Sequence, residues 1–234
     1  MSKGKLAKFE EMKTFPNVLQ PPFEDVFGKD FFLRGNWKNQ FFSNDNPITI
    51  ELGCGKGEYT VGLARHFPNR NFIGIDIKGS RIWKGAKTAY HEGIKNAAFL
   101  RSRIDFIESF FTTDEIDEIW ITFPDPQLKK SLKRLTSSRF LKRYQKFLVD
   151  GGPVHLKTDN PELFYYTKVL AETNNLPIEI ATDNLYASEL QNEILSIRTF
   201  YENIWIKQGL SIHYLCFRLY SGATINEPED EKWR

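Results

Sequence analysis

Cysteine is nearly absent from this chain: Cys54 and Cys216 are the only two among 234 residues, far apart and in no pairing pattern. That excludes a disulfide scaffold and a zinc site, so no metal is expected, and it fits a reducing compartment. Long apolar runs are missing too. No stretch approaches the ~20 residues a membrane span needs, and the opening MSKGKLAKFEEMKTF has no apolar core of signal-peptide length. A cytoplasmic protein without membrane attachment is expected. Neither internal repeats nor low-complexity tracts are found. Net charge is only +2, so global charge names no partner. A local absence says more. Between Asp125 and Asp150 there is no acid, while Lys129, Lys130, Lys133, Arg134, Arg139, Lys142, Arg143 and Lys146 supply eight positive charges. A basic field on an otherwise acidic chain suits a polyanionic partner, although a solvated helix face has the same composition.

Aromatic residues, by contrast, are abundant, with 20 Phe, nine Tyr and five Trp to supply a core. Residues 1–46 show no sustained period and read as an N-terminal extension, partly ordered through Phe23, Phe27, Phe31 and Phe32. From Pro47 strands and helices alternate. Apolar runs predict strands at 48–52, 71–76, 97–101, 118–123, 153–158, 177–183 and 211–219. Helical spacing predicts helices at 58–67, 80–92, 136–149 and 161–173, the third with Phe140, Leu141, Tyr144 and Leu148 opposite Arg139, Lys142, Arg143 and Lys146. Such alternation predicts an α/β fold: a mostly parallel seven-stranded sheet with helices on both faces, spanning 47–220, followed by a polar C-terminal tail at 221–234. Ligands of such folds sit at the carboxyl ends of strands, where most polar residues of interest fall.

The segment ELGCGKGEY (51–59) closes the first of these strands and opens a helix. Gly53, Gly55 and Gly57 allow a sharp turn and close approach of a ligand. Their spacing is G-x-G-x-G rather than the dinucleotide G-x-G-x-x-G. Glu51 stands before the loop, where an acid repels a pyrophosphate but suits an amino group or sulfonium. Asp76 ends the next strand, where a carboxylate takes ribose hydroxyls. The pair of acids points to S-adenosylmethionine rather than a nicotinamide cofactor. Further on, the strand at 118–123 stops at Pro124-Asp125-Pro126, which holds one carboxylate stiffly between two fixed φ angles.

The combination of E-x-G-C-G-K-G, the acid after the second strand, F-P-D-P-x-x-K-K, L-K-T-D at 156–159 and T-F-Y-E at 199–202 resembles the bacterial tRNA (guanine-N7-)-methyltransferases. The resemblance covers about residues 45–220; PDP with its lysines and TFYE are its most specific parts. It implies a Rossmann-like methyltransferase fold, S-adenosylmethionine as donor, and methylation of N7 of the variable-loop guanine (guanine 46) of tRNA. It further implies that Glu51, Gly53, Gly55, Asp76 and Arg103 meet the cofactor, with Arg103 standing where the family contacts adenine through Asp or Asn. Asp125 matches the catalytic aspartate, also against the donor. Lys129, Asp159, Thr199, Tyr201 and Glu202 match substrate-contacting positions. Two departures stand out: Gln127-Leu128 replaces the usual Trp-Pro, and Ser131-Leu132 the usual Arg-His.

Plainer roles compete at several positions. Asp125 suits a turn beside proline, Asp159 a helix N-cap before Pro161, and Thr199 with Glu202 a capping box. His155 and Phe123 read as core residues rather than a catalytic base or a base-stacking ring. For the whole chain, the alternatives are a methyltransferase acting on protein or small molecules and a tRNA-binding protein without catalysis.

Overall fold

A computed structural model describes residues 3–229. The first two residues of the expected extension and the last five of the expected tail lie outside the described residues. The chain divides into two compact units, Met1–Thr112 and Thr113–Arg234.

The first unit runs α1 (Lys3–Met12), β1 (Val18–Leu19), β2 (Ile48–Leu52), α2 (Glu58–His66), β3 (Asn71–Asp76), α3 (Gly79–His91) and β4 (Ala97–Arg101). Its strand order is β1-β4-β3-β2, parallel throughout, with Leu52 beside Ile75 and Asp76 beside Arg101. Every residue of β2 and β3 is buried. A strand covered on both faces needs a continuous apolar run, which is how ITIEL and NFIGID read. In the extension, Phe31 is buried as expected. Phe23, Phe27 and Phe32 stay more than half exposed, the first two stacking on each other and meeting Phe106 edge-on. The anchors are instead Met12, Phe15, Leu33 and Trp37, whose indole Nε1 donates to Phe110 O at 2.9 Å.

The second unit contains β5 (Glu118–Thr122), α4 (Ser138–Tyr144), β6 (Gly152–Thr158), α5 (Pro161–Thr173), β7 (Ile178–Thr182), α6 (Phe200–Lys207) and β8 (His213–Leu219). Strands order as β5-β6-β8-β7; β5 and β6 are parallel, while β8 runs antiparallel to both β6 and β7. α5 starts because Asn160 Oδ1 accepts from Leu163 N at 2.8 Å and Pro161 supplies a preset φ in the first turn. Its apolar stripe, Leu163, Phe164, Tyr166, Thr167, Leu170 and Ala171, is buried. α4 buries Phe140, Leu141 and Tyr144 as its pattern requires, but is shorter than the expected 136–149.

The architecture is Rossmann-like. Among the described residues eight strands replace the expected seven, because the extension contributes β1. No helix among the described residues is long and apolar enough to cross a membrane.

Candidate active site

In the first unit the carboxyl ends of β2, β3 and β4 lie side by side and bring Glu51, the glycine loop, Asp76 and Arg103 to one rim. Gly53 N and Cys54 N donate to Ile75 O at 2.8 and 3.1 Å, tying the loop to the end of β3. Gly53, Gly55 and Gly57 have φ of 74°, 55° and 69°, the left-handed region where a side chain is strained. Asp76, buried, accepts from Gly55 N through Oδ2 (3.0 Å) and from Lys78 N through Oδ1 (2.7 Å). Each carboxylate oxygen has two lone-pair sites, so these bonds fix the group and leave it capacity for hydroxyls. Glu51 is 2% exposed; its Oε2 accepts from Thr60 N (2.8 Å) and Thr60 Oγ1 (2.5 Å) in the first turns of α2. A carboxylate there is favoured by the positive end of the helix dipole. Arg103 is exposed and pairs with Asp105 at 3.2 Å. A Cβ built on Gly55 meets nothing closer than Gly53 O at 3.9 Å, so the rim is open to a ligand resting on bare backbone. An open glycine backbone beside a fixed carboxylate fits a nucleoside-bearing donor.

In the second unit, Asp125 and Asp159 follow the parallel strands β5 and β6, whose last paired residues are Thr122 and Lys157. Phe123 N makes one more rung to Lys157 O at 2.8 Å. The chain then leaves the sheet with Phe123 at φ 49° and, past both prolines, Gln127 at φ 48°. Two non-glycine residues in this region cost about 1–3 kcal/mol each and persist only where surrounding structure enforces them. Between them Asp125 is exposed, and its Oδ1 accepts from Gln127 N at 3.0 Å. The turn role is thus present, and it orients the side chain. Lys129, Lys130, Lys133, Arg139, Lys142 and Lys146 are exposed and Arg143 half-buried, whereas Arg134 is fully buried.

Asp159 is not the N-cap of α5; its neighbour Asn160 is. Burial holds the Asp159 carboxyl above the usual range, with its own backbone amide and nearby His213 pulling the other way. Burial likewise lowers His213, against the opposing pull of Asp183 and Asp159. Thr199 and Glu202 form a full capping box: Thr199 Oγ1 accepts from Glu202 N at 3.1 Å, and Glu202 Oε2 from Thr199 N at 3.2 Å. Glu202, wholly buried, also receives Lys157 Nζ at 2.7 Å and Tyr186 Oη at 2.6 Å. Tyr201 is half-buried on the same helix turn, and Lys129 stands apart on the exposed loop.

Lys157 carries no role in the sequence reading, yet it organises this region. Its ammonium is fully buried and also donates to Leu195 O (2.7 Å) and Ile197 O (3.2 Å), so β6 holds the segment leading into α6. Burial lowers its pKa and the Glu202 carboxylate opposes that. A lysine inside a buried strand needs a carboxylate partner, and that was the available signal. His155 Nδ1 bonds Tyr214 Oη (2.8 Å), its Nε2 lies 3.0 Å from Glu118 Oε1, and the ring stacks on Trp120, a packing role rather than a catalytic one.

Known proteins resemble this chain in fold and in sequence. A solved structure titled "Structure of an Antibiotic Related Methyltransferase" superposes with a TM-score of 0.58 at 16% identity, over 78% of this chain and 92% of that one. A SAM-dependent methyltransferase from Aquifex aeolicus superposes at 0.52 and 12% identity, over 74% and 82%. The fold is that of the S-adenosylmethionine-dependent methyltransferases. Residues 45–215 match the family described as "Putative methyltransferase". The tRNA (guanine-N(7)-)-methyltransferase of Bacteroides thetaiotaomicron is 52% identical over 99% of this chain and 92% of that protein. Its namesake from Porphyromonas gingivalis is 56% identical over 89% and 86%. The chain belongs to the tRNA (guanine-N7-)-methyltransferase family.

Proposed function

We propose that this protein transfers a methyl group from S-adenosylmethionine to N7 of guanine 46 in the variable loop of tRNA, in the cytoplasm. The carrying observation is Asp125: an exposed carboxylate between prolines, flanked by two left-handed residues and followed by exposed cations. In this reading Gly53, Gly55 and Asp76 hold the donor, Asp76 through the ribose hydroxyls, and Glu51 fixes the onset of α2 behind the loop. Arg103 lies toward the adenine.

Bound S-adenosylmethionine supplies an electrophilic methyl on a cationic sulfur. Guanine N7 carries a free lone pair at neutral pH, so no proton has to be removed from the nucleophile. The protein's task is alignment and stabilisation of the positive charge that develops on the purine. Asp125 does both, accepting from guanine N1–H and N2–H while its negative charge favours the alkylated ring. Lys129 and the exposed cations of 129–146 hold phosphates, which adds affinity without reading sequence. Asp159, Thr199 and Tyr201 border the substrate, and Glu202 shapes their helix start from inside. The extension to residue 46, the methyltransferase domain at 47–220 and the tail are the functional divisions we assign.

The test is incubation of the protein with labelled methyl donor and total tRNA, followed by nucleoside analysis. N7-methylguanosine in the tRNA, at one position, is expected. Label in another nucleoside, in protein or in no product overturns the reading.

A further inference from the structure

We propose that Arg134 is the positioning residue of Asp125, and that the C-terminal tail supports it through Glu227. This rests on the catalytic role given to Asp125 above.

Arg134 looks, in sequence, like one more cation for tRNA. In the structure its side chain is 0% exposed. Its Nε donates to Pro126 O at 3.0 Å and its Nη2 to Glu162 Oε1 at 2.6 Å. The guanidinium lies 4.3 Å over the ring of Tyr166, one turn further along α5 from Glu162. Tyr166 Oη in turn donates to Glu227 Oε1 at 2.5 Å, and Glu227 Oε2 accepts from Ser138 N, the first residue of α4, at 3.1 Å. The tail is docked there as well: Ile225 is buried, and Asn226 exchanges bonds with the Asn174 side chain at 2.6 and 2.9 Å. A continuous path therefore leads from the peptide after Asp125, through Arg134 and α5, to the tail and the start of the basic helix.

The loop needs such a brace. Proline fixes φ at 124 and 126 but has no N–H, so the carbonyl is the one backbone hydrogen-bonding group Pro126 offers. Arg134 holds that carbonyl. Immediately beyond it, Gln127 sits at φ 48° and closes the bond to Asp125 Oδ1. Left-handed residues relax unless their surroundings over-determine them. Released at Pro126, the loop is free to rotate Gln127 back and let the carboxylate swing. A guanidinium suits the task because its planar fork bonds a carbonyl and a carboxylate at once, which an ammonium does with less fixed geometry.

The test compares wild type with Arg134→Lys, Tyr166→Phe and Glu227→Gln, measuring kcat at saturating tRNA and donor, tRNA Kd with its salt dependence, donor Kd, and Tm. Arg134→Lys is expected to lower kcat by about tenfold to 100-fold, the range for a slightly misplaced catalytic group. Its tRNA and donor Kd should stay within about twofold. The Tyr166 and Glu227 variants should lower kcat by several-fold, and each combined with Arg134→Lys should lose less than the product of the single effects. Assays well below Tm separate positioning from folding. A lower Tm with kcat intact overturns the proposal, and so does weaker tRNA binding with a flatter salt slope at unchanged kcat. If Arg134→Lys does not fold, unchanged kcat in both of the other variants overturns it. Wild-type formation of N7-methylguanosine is the control: its absence refutes the reading of Asp125's reaction, whereas its presence with fully active variants refutes the brace alone.

Discussion

Two loops at strand ends carry the chemistry we propose, and they are built on opposite plans. The donor loop turns at three glycines with φ of 74°, 55° and 69°, and offers backbone. The acid loop turns at Phe123 and Gln127 with φ of 49° and 48°, and offers one side chain. The first avoids strain by having no Cβ; the second accepts strain and is held in place by prolines and a buried arginine. A surface that a ligand lies on must be bare. A charge that must not move is better served by a loop with no low-energy alternative nearby.

The comparison breaks most visibly at Asp125. Asp125→Asn keeps the size but removes the charge and points an NH2 at guanine donors. Turnover at saturating tRNA should fall by about 100-fold or more, since one preorganised electrostatic contact is worth roughly 2.7–4 kcal/mol. The tRNA Kd, dominated by phosphates, should change little.

The donor loop itself contains both kinds of glycine, so Gly57→Ala and Gly55→Ala should part company. A Cβ on Gly57 falls 2.5 Å from Phe99 Cε1 and 3.2 Å from the Gly85 backbone, so thermal unfolding should show a loss of about 2 kcal/mol or more from overpacking and left-handed strain together. At Gly55 only the strain remains, about 1–2 kcal/mol, while the new methyl enters the open space proposed for the donor. There the larger change should appear in donor Kd by calorimetry.

Smaller still is the basic helix. Arg139, Lys142 and Arg143 changed together to Gln should flatten the salt dependence of tRNA binding, by up to roughly 0.9 log units for each phosphate no longer neutralised. Donor Kd should not move. An unaltered slope would leave those cations as a solvated face.

The smallest effect is the pH response of His213. Burial depresses its pKa, so it stabilises the fold in its neutral form above the unfolded value of about 6.5. That stability is lost as pH falls through the depressed folded value. His213→Phe keeps a ring against Phe164, which it now faces at 5.1 Å, and should make Tm fall less steeply on acidification from about pH 6.5 down to that depressed value, with no difference in slope below it.

The strands from 48 onward, the helices α2 to α5 and the family's strand-end acids were legible in sequence because each rests on local pattern: apolar runs, glycine spacing, a carboxylate at a strand end. α6 was foreshadowed only by the capping-box spacing of Thr199 and Glu202. What escaped was set by distant partners. Arg134 reads as a phosphate ligand until it is seen buried and paired with Glu162, 28 residues on. Glu202 joins Thr199 in an ordinary capping box, and only the pairing with Lys157 places it inside the protein. The α5 cap fell one residue away from Asp159 because Asn and Asp stand together before Pro161 and pattern alone does not choose between them. Strand β1 has two residues, too few for any period to register.

That short strand covers part of an edge of the sheet. Val18 and Leu19 pair with Phe99 and Leu100, and Phe99 N donates to Asn17 O at 2.8 Å, so the outer rim of β4 is occupied from within the chain. Pro21 and Pro22 follow one residue later, and an edge ending in prolines gives an incoming strand little to extend. A fragment beginning at residue 47 would lay open the segment AAFLR, an apolar row of unpaired amides and carbonyls, to intermolecular pairing. Concentration-dependent aggregation would then precede any defect in RNA handling, and the extension serves as a guard on a vulnerable border.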